Sequence, residues 1–265
     1  MLNLKLMGVI NITPNSFSDG SELLGPSHFQ EKVSSFHADT ILDLGAESTA
    51  PMNSPITSDE ELKRYGPYLD QIFSLDKIIS IDTYHPETIS FFQKEWMRRG
   101  KKNPLIWNDV SGKIDDDVEK FLSAGNHFEY VFCHNLAPSR SESSSHMNFL
   151  FSGDIEDFMN HLTHYLSKGG REQIILDPCL GFSKNFDQNW FILENFHVLQ
   201  EALQHSKWLI GFSRKSFLRK KYSLDSARGN RDLLDEIHVK EVARLSPLWQ
   251  GEVWLRTHRP SLISL

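Results

Sequence analysis

Cysteine is scarce in this chain: of 265 residues only Cys133 and Cys179 carry a thiol, and neither stands in a CxxC or Cys/His ligand spacing. A disulfide framework is therefore not what organises the fold. Long hydrophobic runs are missing as well. No apolar stretch approaches the roughly 18 residues that a membrane span requires. The opening MLNLKLMGV runs straight into a strand-like segment, without the basic leader and cleavage site of a secreted protein, so the expected compartment is the cytoplasm. Positive charge is in deficit: 28 Lys and Arg against 35 Asp and Glu give a net charge of −7, and the footprint of a general nucleic-acid binder is absent. The basic run RKSFLRKK (residues 214–221) is then a local feature, for the most part a solvated helix face. What remains is ordinary core material, 39% hydrophobic. That is enough for a sizeable core, in a length close to the roughly 250 residues that a (β/α) barrel uses as one unit.

Short β-rich runs recur along the chain: LMGVIN, TILDLG, KIISIDT, PLIWNDV, YVFCHN, QIILDP, WLIGFS and VWLRTH. They are nearly continuous in apolar residues, as parallel strands buried on both faces should be. Between them lie stretches such as SDEELKRYGPYLDQIF, PETISFFQKEWMRR and GDIEDFMNHLTHYLSKGG, with helical spacing, acidic starts and Gly stops. Strand–helix alternation repeated eight times predicts a (β/α)8 TIM barrel spanning residues 1–265 as a single domain, with an open doubly wound sheet as the competing arrangement. The Ser-rich segment SRSESSSHM (residues 139–147) reads as a mobile loop after the fifth strand. The chain stops soon after the eighth strand, which predicts a truncated eighth helix.

Nearly every apolar run ends in a polar residue on its C-terminal side: Asn11, Asp82, Asn108, His134, Asp177, Ser213 with Lys215, and Arg256 with His258. Any one of these could be a helix cap or a turn. As a set they would converge on one face of a barrel, where active sites are assembled from several strands. Two carboxylates and a carboxamide together suit a planar ligand edge bearing N–H donors, because an ionised carboxylate only accepts; two acids alone would also fit a glycosidase pair. Arg256 and His258, two apart along a strand, share a side and could hold an anion. SRKS (residues 213–216) lies where the seventh strand turns into a helix, a place that favours anions. His161 and His164 sit one turn apart on a helix with no third ligand in the pattern, and they read as solvated.

Taken in order, GVINITPNSFSDG, DLGAESTAP, SIDTYHPE, NDVSG, LDPCLGFSKN, GFSRKSF and LRTH resemble the signatures of the dihydropteroate synthase family over almost the whole chain. The resemblance implies a barrel enzyme of folate synthesis that condenses 6-hydroxymethyl-7,8-dihydropterin diphosphate with p-aminobenzoate, with Mg2+ as cofactor and a homodimer as the usual assembly. Carried over position by position, it implies that Asp82, Asn108, Asp177 and Lys215 hold the pterin. Arg256, His258 and Asn11 would hold the diphosphate, Asn11 also meeting Mg2+. Ser216 would take the benzoate carboxylate, with Phe17, Pro51 and Phe182 around its ring, and Thr49 would also bind substrate. Asp19 would act from a loop that closes over the site, and Lys215, Arg256, His258 and Asp19 would carry the catalysis.

The chain departs from the family pattern in places. Ala50 stands where an arginine is usual, Asn15 where an aspartate is usual, and Cys179 where a glycine is usual. CHNLAP replaces the usual Met-His-Met-x-Gly after the fifth strand, and Arg259 replaces an aspartate. The alternative these departures leave open is a diverged paralogue that binds a pterin without turning it over.

Overall fold

A computed structural model describes residues 2–12, 25–47, 55–224 and 230–264. Its eight strands are β1 (Asn3–Asn11), β2 (Ile41–Gly45), β3 (Ile79–Asp82), β4 (Leu105–Asp109), β5 (Phe128–Cys133), β6 (Ile174–Asp177), β7 (Lys207–Ile210) and β8 (Glu252–Thr257). Each pairs in parallel with the next, and β8 pairs back onto β1, with Lys5 opposite Trp254. That pairing closes the sheet into a barrel and rules out the open doubly wound alternative. Seven of the eight apolar runs cover their strands to within a residue or two; β1 begins earlier than its run, at Asn3, where Glu252 of β8 offers it a partner.

Along each strand alternate residues face opposite layers, and the inward rows repeat one order. At the N-terminal end charged side chains pair between strands: Lys5 of β1 with Glu252 of the adjoining β8 at 2.9 Å and Lys207 of β7 with Glu129 of β5 at 2.5 Å, while Trp254 Nε1 donates to Glu252 at 2.7 Å. Above this floor Met7, Ile41, Ile106, Val131, Ile175, Leu209 and Trp254 fill the interior as one buried apolar cluster. Polar residues occupy the rows nearest the C-terminal mouth. The outward rows, including Leu42, Leu44, Ile81, Trp107, Phe132, Leu176 and Trp208, join the helices in a much larger apolar shell.

The helices are α1 (Pro26–Ser34), α2 (Ser58–Tyr65), α3 (Leu69–Ser74), α4 (Pro86–Arg98), α5 (Asp116–Ser123), α6 (Ile155–Ser167), α7 (Phe186–Glu194), α8 (Phe196–Leu203), α9 (Ser216–Lys221) and α10 (Arg231–Leu245). The sequence around residues 58–73 reads as one helical stretch; Gly66 and Pro67 divide it into α2, a 3-10 turn and α3. Several helix starts are capped by short polar side chains. Thr57, Asp115 and Asp154 each accept the third backbone N–H, and Asn185 forms a capping box with Gln188. After β8 a single 3-10 turn, Pro260–Leu262, follows. No helix among the described residues is long and apolar enough to cross a membrane.

The Ser-rich segment differs from expectation. Residues Arg140–Asn148 form 3-10 turns with Ser143 and His146 buried. Arg140 holds the segment down: it pairs with the buried Asp109, bonds Asp115 at 3.1 Å and Ser111 at 3.0 Å, and lies 4.8 Å over the Trp107 ring. Composition suggested mobility because serines carry no apolar anchor; the anchor is the single arginine among them.

Candidate active site

The mouth of the barrel is organised around Asp43, a residue that the strand-end pattern does not pick out. It lies fully buried in the middle of β2, where its Oδ1 accepts from Ser80 Oγ at 2.7 Å and Asn108 Nδ2 at 3.0 Å. Its Oδ2 accepts from Arg256 Nε at 2.6 Å, and the far arm of the same guanidinium, Nη2, reaches Asp82 Oδ2 at 2.6 Å. One arginine thus bridges two carboxylates. Burial pushes the Asp82 carboxyl up, against the pull of the Arg256 guanidinium, and the Asp43 charge adds to the rise. A signal for Asp43 was present in the sequence: an acid inside an otherwise apolar strand is tolerated only when paired. Below the rim, Glu61 of α2 accepts from Thr83 at 2.7 Å and Thr88 at 2.6 Å, fixing the turn that follows Asp82.

Across the mouth stands Asp177, at the end of β6 and level with Cys133 of β5. Its Oδ1 accepts the Cys179 backbone N–H at 2.6 Å. Burial pushes its carboxyl up to about 6, opposed by that hydrogen bond and by the charges of Lys215, Lys184 and Arg256. Lys215 sits among Asp177, Asp82 and Arg256 with its Nζ 4.6 Å over the Phe182 ring, and burial lowers its pKa. Phe182 packs on His146 with ring centroids 4.1 Å apart and joins the two free thiols, Cys133 and Cys179, in one small cluster. Lys184 is fully wrapped: its ammonium donates to the carbonyls of His134, Cys179 and Phe182 at 3.0, 3.1 and 2.8 Å, tying the β6–α7 connection into a rigid wall.

His258 follows β8 directly, with Nδ1 3.0 Å from Ser213 Oγ. Burial, reinforced by Arg214, Arg256 and Lys215, drives its pKa well below the ordinary value, so the ring is neutral. Ser216 opens α9, exposed beside Lys215, and Asn11 closes β1 opposite Gly45. The structure therefore brings Asp82, Asn108, Asp177, Phe182, Lys215, Arg256 and His258 to one end of the barrel, with Ser216 and Asn11 on its rim. Phe17, Asp19, Thr49 and Pro51, together with Asn15 and Ala50, lie outside the described residues. His134 does not belong to the mouth. One step past the inward-facing Cys133, its ring turns outward and packs on Phe158, His161 and Tyr165 of α6. His161, read as solvated, is in fact partly buried against Phe151 at 4.7 Å. The basic run at 214–221 is likewise only partly a surface: Arg214 pairs with Asp235, and Phe217 and Leu218 are buried.

The arrangement is a buried floor of hydrogen-bond acceptors, with cations beside it and an aromatic wall. It can take a flat ligand with a row of N–H donors and stabilise negative charge leaving toward the rim.

Comparison with known proteins gives this geometry its context. The family description "Pterin binding enzyme" fits residues 7–244. A mitochondrial folate synthesis bifunctional protein of Pisum sativum is 33% identical over 84% of this chain. The chain spans only 45% of that relative's length. A type-3 dihydropteroate synthase of Escherichia coli is 30% identical, with 96% of this chain and 93% of that protein covered. Among solved structures, the dihydropteroate synthase of Thermus thermophilus in complex with 4-aminobenzoate has a TM-score of 0.69 at 28% identity, over 97% of this chain and 91% of that one. The Anaplasma phagocytophilum dihydropteroate synthase with bound 6-hydroxymethylpterin-monophosphate has a TM-score of 0.75 at 25% identity, over 98% and 94%. With its acceptor floor at the mouth of a closed parallel barrel and its likeness running from end to end, this chain belongs to the pterin-binding enzyme family, on the dihydropteroate synthase branch.

Proposed function

We propose that the chain catalyses the condensation of 6-hydroxymethyl-7,8-dihydropterin diphosphate with p-aminobenzoate, giving 7,8-dihydropteroate and diphosphate. The observation that carries this reading is the cluster of Asp43, Asp82, Asn108 and Asp177 beneath Lys215 and Arg256. Asp177 and Asn108 accept from the amino and ring N–H groups of the pterin, while Lys215 lies over Phe182 at the edge of the same pocket. The bond between the pterin methylene and the diphosphate oxygen breaks first, and the electron pair leaves with the diphosphate. The arylamine nitrogen then bonds to the methylene and gives up a proton. No protein nucleophile is needed; the chain contributes position and charge. His258 lies beside Arg256 to hold the leaving group, its pKa lowered by burial and by the cations around it before any diphosphate is bound. The relatives bound to 4-aminobenzoate and to 6-hydroxymethylpterin-monophosphate support the choice of substrates.

Mg2+ is proposed as the cofactor on the strength of the family resemblance. Among the described residues no three His, Cys, Asp or Glu converge on a metal, but Mg2+ takes hard oxygens and keeps water and substrate phosphate ligands. Asn11 would supply one carboxamide oxygen, and the ion, when bound, would neutralise charge on the diphosphate. The homodimer is supported by the family resemblance alone, and sedimentation tests it. Two free buried thiols suit a reducing compartment such as the cytoplasm.

A coupled assay for diphosphate release tests the reaction: release should require both the pterin diphosphate and p-aminobenzoate. Tight pterin binding without release would favour the non-catalytic paralogue. Ala50 and the prior engagement of Arg256 by two carboxylates speak for that second reading.

A further inference from the structure

α10 packs on the outside of the barrel with Leu234, Ile237, Val242 and Leu245 buried, and the polar Asp235, His238 and Glu241 are buried beside them, Asp235 at 3% exposure. A buried carboxylate needs a partner; Glu241 takes Tyr222 and Arg244, whereas the partner of Asp235 lies on the turn that follows β7. Asp235 makes a two-pronged pair with Arg214, Oδ1 accepting from Nε at 2.9 Å and Oδ2 from Nη2 at 2.8 Å. Arg214 has φ 58°, in the left-handed region that L side chains adopt at a steric cost. Its two neighbours both point into the pocket. Ser213 meets the His258 ring at 3.0 Å, and Lys215 reaches over Phe182 at 4.6 Å. One turn along α10, His238 lies against Phe212 with centroids 4.6 Å apart, so the same helix grips the residue before Ser213 as well.

We infer that Asp235 is a positioning residue for the site: through Arg214 it locks the left-handed turn at residues 213–215 so that Ser213 and Lys215 are delivered together to the mouth. A bidentate pair fixes direction as well as distance, which a single hydrogen bond does not. Asp235 touches no substrate. Its effect is carried by the backbone of the turn. The catalytic consequence rests on the synthase reading above; the placement of the turn does not.

The test uses the full chain with Asp235→Asn, Asp235→Glu, Arg214→Gln and the double variant Asp235→Asn/Arg214→Gln. Three quantities are read: the dissociation constant for 6-hydroxymethylpterin, the ring resonances of His258 by NMR, and the thermal midpoint. Asp235→Asn should weaken pterin binding tenfold or more and shift the His258 resonances, while the protein stays folded at the assay temperature. Asp235→Glu should recover most of the loss, and the double variant should be no worse than the poorer single one, since both act through one pair. Wild-type affinity with unmoved His258 resonances in Asp235→Asn overturns the inference. So do additive losses in the double variant, or losses that merely follow the unfolded fraction. Should the wild-type protein bind no pterin, the synthase reading fails, and the His258 resonances still decide whether Asp235 holds the turn.

Discussion

Asp177 commits one carboxylate oxygen to the chain itself, at the Cys179 N–H, and leaves the other for a ligand. In Asp177→Asn the amide keeps its oxygen on that N–H, so its NH2 group turns toward the donors of the pterin. Losing a charged hydrogen bond costs about 1.5–3 kcal/mol, so calorimetry should find pterin binding weakened by roughly ten- to a hundredfold; an unchanged affinity would remove Asp177 from the pocket. Arg256 is a different case, because it is already bonded to Asp43 and Asp82. Arg256→Met keeps the apolar stem but strands two carboxylates in a buried site, and breaking a buried pair in this way costs about 3–5 kcal/mol. Denaturant unfolding should show that loss, and adding Asp43→Asn should recover part of it; a stable single variant would mean that the two acids hold no charge there. Of the carboxylates at the mouth, Asp82 and Asp177 were legible in the sequence because each ends its strand. Asp43 stands two residues short of the end of β2, where only its charge in an apolar run betrays it.

At the level of whole elements, the Ser-rich segment after β5 shows how composition can mislead. Serine content governs how little a segment can bury on its own, but one guanidinium shared by Asp109, Asp115 and Ser111 decides whether it stays put. Arg140→Met should release residues 140–148, seen as faster amide hydrogen exchange there, and should lower stability by about 1.5–3 kcal/mol, because the buried Asp109 loses its charged partner while keeping its bonds from Ser111 and Tyr130. Unaltered exchange in that segment would show that Ser183, whose hydroxyl bonds Asn135 at 3.1 Å, and His146 suffice to hold it. The neighbouring turn is equally exacting: Gly112 has φ +65°, and a Cβ there would lie 2.5 Å from both the Cys133 carbonyl and the Tyr165 hydroxyl. His134 was grouped with the mouth residues because it follows an apolar run. Register sends it the other way, since Cys133 already occupies the inward position and successive side chains alternate.

For the molecule as a whole, the strands could be read from the sequence because each is a local apolar run, but closure could not. Asn3 and Glu252 meet across 249 positions of sequence, and no local pattern encodes that contact. pH acts on the assembled site with a definite sign. Burial raises Asp177 to about 6 and raises Asp82 as well, so in the free protein their contribution to stability is greatest below about pH 4, the ordinary carboxylate range, and is lost as pH rises through the raised values. A pterin edge needs the ionised acids, so its affinity should fall as pH drops below about 6. The thermal shift produced by 6-hydroxymethylpterin should accordingly be larger near neutral pH than at a pH about one unit below the raised Asp177 value; the reverse order would mean that neither acid meets the ligand. The charged floor has a consequence for traffic. Lys5 with Glu252 and Lys207 with Glu129, capped by Trp254, stop the barrel at its lower end. Among the described residues, the apolar layer above those pairs fills the interior, so the barrel is closed below its mouth. A planar ligand seated on the acceptor floor would then have to enter and leave by the C-terminal mouth alone.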